Sequence, residues 1–159
     1  MQLLRFGLLT GVFLAVTTPA FADLTLFLGS ASAPTNRTTK GVALGAGLLI
    51  IGVEFEYADT TEEPAEGAPG LRTGMGNVLL QTPGAIFGLQ PYVTTGAGLY
   101  QERLGSSSQT QLVLNNGGGV KISLIGPVRA RIDYRVLSLR GSPLHATVHR
   151  IYTGLNLNF

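Results

Sequence analysis

Cysteine and tryptophan are both absent from the 159 residues, and charged residues make up only 13% of the chain. Without cysteine the chain can form no disulfide and can carry no lipid on an N-terminal cysteine, so a soluble exported domain would have no covalent cross-link. The charges also nearly cancel: 11 Lys and Arg become ten once Arg5 is removed with a signal peptide, against nine Asp and Glu. No basic surface is expected, and nucleic acid is not an expected partner.

Long apolar runs are also missing after Ala22. The longest candidate, residues 42–53, is well short of the ~20 residues that a membrane-spanning helix needs, and glycines interrupt it. Yet the mean hydropathy is positive and the chain has 22 glycines. Apolar character spread over many short segments is typical of a transmembrane β-barrel, which turns half of its strand residues toward lipid.

The N-terminus has the features of an export signal. Arg5 supplies the positive charge before a short apolar core, and Ala20 and Ala22 form an A-x-A cleavage site. The apolar core has about half of the ~20 residues of a spanning helix, which argues against a membrane anchor. The sequence therefore predicts a signal peptide over residues 1–22 and one outer-membrane β-barrel domain over residues 23–159.

The end of the chain alternates strictly between apolar and polar residues. Ile151, Leu155 and Leu157 share one face, and the sequence ends at Phe159. A period of two predicts a half-buried strand. Because an uncovered edge strand invites aggregation, we expect this strand to pair with the first one and close the sheet into a barrel.

The same alternation predicts strands throughout the mature chain. The eight predicted strands are residues 23–30, 41–49, 52–58, 75–82, 90–102, 111–124, 128–138 and 148–159. The longer, polar connections between them are expected to face outward, and the shorter ones to be periplasmic turns; the predicted outer loops are Ala31–Lys40, Asp59–Thr73, Arg103–Thr110 and Leu139–Ala146. The predicted fold is all-β, an eight-stranded antiparallel up-and-down transmembrane β-barrel.

Charged residues occupy alternate positions of the seventh strand. Each arginine facing lipid near the midplane would cost ~2–4 kcal/mol, so these side chains are expected inside the barrel. The predicted polar network of the lumen is Glu54, Glu56, Glu102, Lys121, Arg129, Arg131, Asp133, Arg135 and Arg150. The near balance of charge predicts ion pairs, with Glu54 and Glu56 as partners of the strand-seven arginines. The network is expected to fill the lumen, and an arginine-lined path for anions or small solutes is the alternative.

The segment Gly117–Leu139, GGGVKISLIGPVRARIDYRVLSL, together with the closing strand, resembles the end of the outer-membrane β-barrel family that includes OmpX-like, opacity-like and OmpA-type barrels. In that family a terminal Phe after alternating apolar residues is the signal for the barrel-assembly machinery. The matching residues are Ile151, Leu155, Leu157 and Phe159. The resemblance implies a location in the outer membrane of a Gram-negative-type bacterium, contact with its lipid, and a structural or surface-interacting role with no named surface partner.

Two other functions remain open at this stage. A soluble periplasmic barrel of the lipocalin kind would bind an apolar ligand, but it would place Leu, Val and Ile inside and the arginines outside. A barrel that modifies lipid A would need a His, a hydroxyl and a carboxylate. The local His-x-Ser pattern of barrels that deacylate lipid A is absent here, where His145-Ala146-Thr147 departs from it, and His149 is expected on the outer wall near the outer rim. The sequence predicts no catalytic residues, no metal ligands and no cofactor.

Overall fold

Alternation of side chains with a period of two continues through eight strands, which close into one antiparallel barrel. The computed structural model describes residues 21–159. The strands are β1 (Phe21–Ser32), β2 (Asn36–Leu48), β3 (Ile51–Thr60), β4 (Gly70–Gln81), β5 (Leu89–Leu104), β6 (Ser107–Ile125), β7 (Val128–Leu139) and β8 (Thr147–Asn158), with a short 3-10 helix at Pro64–Glu66. No helix in this part of the chain is long and apolar enough to cross a bilayer.

Pairing of β1 with β8 closes the barrel. The register runs from Asp23 opposite Asn158 to Ser32 opposite His149. Backbone hydrogen bonds of 2.9 Å in both directions between Ala22 and Phe159 extend this pairing by one more step. Because every strand has two neighbours, the sheet has no free edge. The predicted fold class is therefore confirmed.

The two ends of the barrel differ in their connections. We call the end expected to face the periplasm the inner rim and the opposite end the outer rim. The inner rim carries both ends of the described chain and the turns 49–50, 82–88 and 126–127. The outer rim carries the connections 33–35, 61–69, 105–106 and 140–146. Two of the predicted outer loops, Ala31–Lys40 and Arg103–Thr110, are wrong in extent because most of their residues belong to strands. Their polar Thr, Ser and Gln residues are compatible with a strand that has left the membrane, so polarity alone did not mark a loop.

The outward side chains form an apolar belt, which we define by Leu26, Leu28, Val42, Leu44, Val53, Phe55, Val78, Leu80, Val93, Leu99, Leu112, Ile132, Ile151 and Leu155. Each of these side chains is at least 40% exposed, whereas Arg131 and Arg135 on the inner face have no exposed surface. The soluble lipocalin-like interpretation is therefore wrong, because such a carrier needs the opposite orientation. An outward apolar belt of this kind is the surface that a membrane barrel presents to lipid.

The interior is divided along the barrel axis. Most of the buried charged side chains lie from the inner rim to the centre, and Arg37 and Glu102 lie near the outer rim. An apolar cluster also lies toward the outer rim, formed by Ala31, Leu71, Met75, Tyr100, Val113, Leu137, Leu139 and Val148. Phe27 stacks on Tyr152 beside the central charged side chains, with 4.1 Å between the ring centroids. The lumen is thus not polar along its whole length, which differs from the sequence-based expectation.

Candidate functional site

The centre of the lumen holds a compact group of ion pairs between β7 and β3. Arg131 donates two hydrogen bonds to the carboxylate of Glu54, and its Nε lies 2.7 Å from Oδ2 of Asp133. Arg135 Nη2 lies 3.2 Å from Oε1 of Glu54 and 2.9 Å from Oδ1 of Asp133. Two arginines and two carboxylates therefore neutralise each other at one height of the barrel.

Glu56 connects this group to the last strand. Its Oε1 lies 3.1 Å from Nη1 of Arg150, and its Oε2 accepts a hydrogen bond of 3.0 Å from the hydroxyl of Tyr152. Arg135 Nη2 is a longer 3.8 Å from the same Oε2. The alternation of β3 places Glu54 and Glu56 on the inner face one layer apart, so each carboxylate contacts cations from β7 or β8.

Aromatic side chains complete the packing around the arginines. The hydroxyl of Tyr92 accepts a hydrogen bond of 2.6 Å from Arg131 Nε, and the guanidinium carbon of Arg131 lies 5.1 Å from the centroid of the Tyr92 ring. Arg135 lies 5.8 Å from the centroid of the Tyr152 ring. Rings on which cations stack occupy space that water would otherwise fill.

Three of the predicted lumen residues lie apart from the central group. Lys121 pairs at 2.7 Å with Asp23 near the inner rim. Arg129 is only partly buried there and donates to Gln90 and Asn158, at 2.9 and 3.2 Å, rather than to a carboxylate. Glu102 lies near the outer rim, where its carboxylate accepts a hydrogen bond of 3.2 Å from the backbone of Leu144.

Sequence reasoning missed several participants. Asp23 shares its face of β1 with Thr25 and Phe27, opposite the leucines, so its inward orientation was available from the alternation. Thr25 accepts a hydrogen bond of 3.2 Å from Arg131. Arg37 is buried near the outer rim, and it was missed because it lies in a segment predicted to be a loop. The sequence carries no signal for its depth.

The central group is buried, whereas the inner end of the lumen is open to solvent. A cavity of about 150 Å³ opens at the inner rim, and its lining includes Lys121, Arg129 and Asn158. Further along the axis, Arg131 and Arg135 have no exposed surface at all. An eight-stranded barrel is just wide enough for its own side chains, and here charged side chains occupy its centre.

The two histidines lie apart from the central group of ion pairs. His149 is exposed on the outer wall, where its Nδ1 lies 2.7 Å from the hydroxyl of Tyr134. His145 is partly buried in the connection 140–146 and lines a small pocket together with Glu102. In the same part of the chain, no three His, Asp or Glu side chains are grouped to hold a metal.

The residues predicted to guide assembly and processing lie at the seam between β1 and β8. Ile151, Leu155 and Leu157 point outward, and the side chain of Phe159 is 73% exposed. Phe21 and Ala22 are in β1. The other residues of the predicted signal peptide, including Ala20, lie outside the described residues. Cleavage after Ala22 therefore stays a prediction.

No protein-family model and no curated protein matches the chain. Solved structures do match its fold. The N-terminal β-barrel domain of OprF from Pseudomonas aeruginosa is 18% identical with a TM-score of 0.67, covering 87% of this chain and 97% of that one. Neisserial surface protein A, NspA, is 14% identical with a TM-score of 0.71, covering 88% and 97%. The outer membrane enzyme PagL is 13% identical with a TM-score of 0.54, covering 85% and 98%.

Identities this low establish the fold and not the activity. The apolar belt and the strand order agree with that fold across the whole described chain. The resemblance to small outer-membrane barrels is thereby confirmed: the chain has the closed eight-stranded antiparallel fold of barrels that span the bacterial outer membrane.

Proposed function

We propose that the protein is a lipid-embedded outer-membrane barrel with a closed lumen, acting as a structural or surface-interacting component. The observation that carries this proposal is the buried group formed by Arg131, Arg135, Glu54 and Asp133, which fills the centre of the barrel. A protein that transports solutes would leave this space open. A protein whose barrel serves only to hold its outer rim at the membrane surface would fill the lumen with side chains.

Conductance tests the closed lumen. The purified barrel, inserted into a planar lipid bilayer, is expected to give no stable conductance. Gel migration is the control for folding, because a folded barrel migrates more slowly after boiling than before it. A steady current of the size that porins give would refute the closed lumen and support the arginine-lined solute path.

The outer rim is the part of this barrel that could contact a partner at the cell surface. The connection 61–69 is acidic and contains Glu62, Glu63 and Glu66. Arg103 at the end of β5 lies 3.7 Å from Glu62, which links this connection to the neighbouring hairpin. Neisserial surface protein A has the same fold and is named as a surface protein, which supports this role. If the connection 61–69 contacts such a partner, a barrel lacking residues 62–68 should insert into the membrane normally but should no longer bind that partner at the cell surface.

We propose that the barrel has no catalytic role. PagL has the same fold and is an enzyme, so the histidines need a direct test. Lipid A from cells that overproduce the wild-type barrel should have the same mass as lipid A from cells without it. A deacylated species that disappears in the His145→Ala or His149→Ala variant would overturn the proposal.

Processing and assembly complete the proposed function. Cleavage after Ala22 would make Asp23 the first residue of the mature chain, and N-terminal sequencing of protein from membranes tests this. The exposed Phe159 and the outward residues Ile151, Leu155 and Leu157 are proposed to bind the barrel-assembly machinery. They lie on the lipid-facing side of β8, where another protein can reach them before insertion.

A further inference from the structure

The two rims of the barrel differ in the residues that they present outward. Toward the outer rim the apolar belt ends in an outer polar ring, which we define by Lys40, Asp59, Arg72, Gln101 and Thr110 on successive strands β2 to β6. Each of these side chains is exposed, apart from Asp59, which is partly exposed. No such ring exists at the inner rim, where the turns 49–50, 82–88 and 126–127 contain no charged residue.

Large apolar side chains take the place of a polar ring at the inner rim. Phe87 is 100% exposed at the tip of turn 82–88, and its neighbour Ile86 is 57% exposed. Leu49 and Ile50 form the whole of the first turn, and Ile125, the last residue before the third, is 79% exposed. All three turns therefore hold bulky apolar groups at or beyond the ends of the strands.

The backbone of two turns holds these side chains at the tips. Leu49 and Phe87 both have a φ angle of 51°, in the left-handed region that bulky residues seldom occupy. Ile86 and Leu89 exchange backbone hydrogen bonds of 2.8 and 3.0 Å, which close a tight turn with Phe87 and Gly88 at its centre. Asn or Gly would fit such positions better. A large apolar residue there, fully exposed, indicates contact with an apolar medium.

The height of the belt points to the same medium. On β2 the apolar wall runs from Val42 to Leu48, and on β3 from Ile51 to Tyr57. At ~3.3 Å per residue and a tilt of ~40°, each span covers about 15 Å along the membrane normal, against about 25 Å for the apolar band of such barrels. Lys40 and Asp59 block extension toward the outer rim. On β2 and β3 the missing height is therefore available only at the turn 49–50 that joins them. On β5 and β6 the outward apolar residues run further, from Leu89 to Leu99 and from Leu112 to Leu124, and end beside the other two turns.

We propose that the inner rim is itself a lipid-contact surface, with the turns 49–50 and 82–88 and Ile125 set into the boundary between headgroups and acyl chains of the inner leaflet. This inference rests on the proposed membrane insertion. Lipid is the occupant that fits, because the apolar tips are continuous with the belt and distributed over three turns around the rim, as a membrane plane requires. A docked periplasmic protein would need a patch on one side.

Single tryptophan variants test the proposal, because the chain contains no tryptophan and each substitution gives one reporter. The test variant is Phe87→Trp, and Ile50→Trp on another turn repeats it. Phe55→Trp reports on the belt, and Leu144→Trp replaces an exposed apolar residue of the outer rim. Each variant is folded into phosphatidylcholine vesicles with bromine placed either near the headgroup or near the chain end, and folding is verified by heat-modifiable migration.

The fluorescence of the Phe87→Trp variant is expected to be blue-shifted relative to that of the Leu144→Trp variant and quenched most by bromine near the headgroup. The Phe55→Trp variant should be quenched more by bromine deep in the chain. If the belt reporter is quenched while both turn reporters emit as in water, the anchor is refuted and the membrane barrel stands. If the belt reporter is not quenched either, the proposed membrane insertion fails as well.

Discussion

Arg131 on β7 and Glu54 on β3 face each other across the lumen and share two hydrogen bonds, although 77 residues separate them in the chain. Neither side chain has more than marginal exposure. The pair joins opposite walls of the barrel, and Arg135 and Asp133 complete its charge balance. A buried pair of this kind is costly to break, because the remaining partner becomes an uncompensated charge.

Removal of that cation is therefore expected to destabilise the barrel strongly. Arg131→Met should lower the free energy of unfolding by about 3–5 kcal/mol, because Glu54 and Asp133 lose a shared partner. Guanidinium unfolding of barrels folded into lipid vesicles measures this. The matched control is Arg72→Met, which breaks an exposed 3.3 Å pair with Asp59 and should cost at most about 1 kcal/mol. Equal losses in the two variants would contradict a structural role for the central group.

Orientation toward lipid can be tested on a single strand. Leu26 and Ser32 both point outward from β1, one in the apolar belt and one at the outer rim. Leu26→Arg should destabilise the folded barrel by about 2–4 kcal/mol, whereas Ser32→Arg should cost about 0–1 kcal/mol. The comparison uses the same unfolding transition in vesicles. A cost that does not depend on position along β1 would argue against a bilayer around the belt.

Close approach of two strands requires glycine at one inward position of β5. A methyl group on Gly98 would lie 2.7 Å from the Cα atom of Met75 on β4, and it would also meet the backbone oxygen of Gly74. Gly98→Ala is expected to reduce the heat-modifiable folded fraction, because overpacking should lower the free energy of unfolding by about 1–3 kcal/mol. Gly74→Ala is the control, because nothing lies within 4 Å of its added methyl group. Normal folding of the Gly98→Ala variant would show that β4 and β5 are further apart.

A substitution at the seam between β1 and β8 should impair assembly in the cell without changing the stability of the assembled barrel. The Phe159 side chain is 73% exposed, so Phe159→Ala is expected to leave the unfolding of barrels refolded in detergent almost unchanged. The same variant should accumulate less in the outer membrane of growing cells if the assembly machinery reads this residue. Phe55→Ala, which removes a similarly exposed ring from the belt, is the control. Equal membrane levels of the two variants would refute the assembly signal.

Side-chain orientation was the property most accessible from the sequence. Alternation along β7 put Arg131, Asp133 and Arg135 on one face, and the cost of placing arginine in lipid decided which face it was. The same alternation predicted eight strands. These are local properties, since they depend on the chemistry of a side chain and on the two-residue period of its own strand.

Loop lengths and the apolar part of the lumen were less accessible. Polar residues such as Thr38 and Thr110 are compatible with a loop or with a strand in water. The predicted strands that contain them in the structure, β2 and β6, were therefore too short. The inward residues around Met75 and Leu137 form one cluster near the outer rim only because the pairing of their strands brings them to the same height. The local sequence carries no information about height.

Which side chains point inward and which face lipid follows from the two-residue period of each strand, and the amino-acid sequence alone is enough to predict it. Which of the inward charges meet depends instead on the folded barrel. The stagger between paired strands brings Arg131 level with Glu54, but leaves Arg129 near the inner rim and Glu102 near the outer one. Stagger is set by pairing around the closed sheet, so no single strand encodes it.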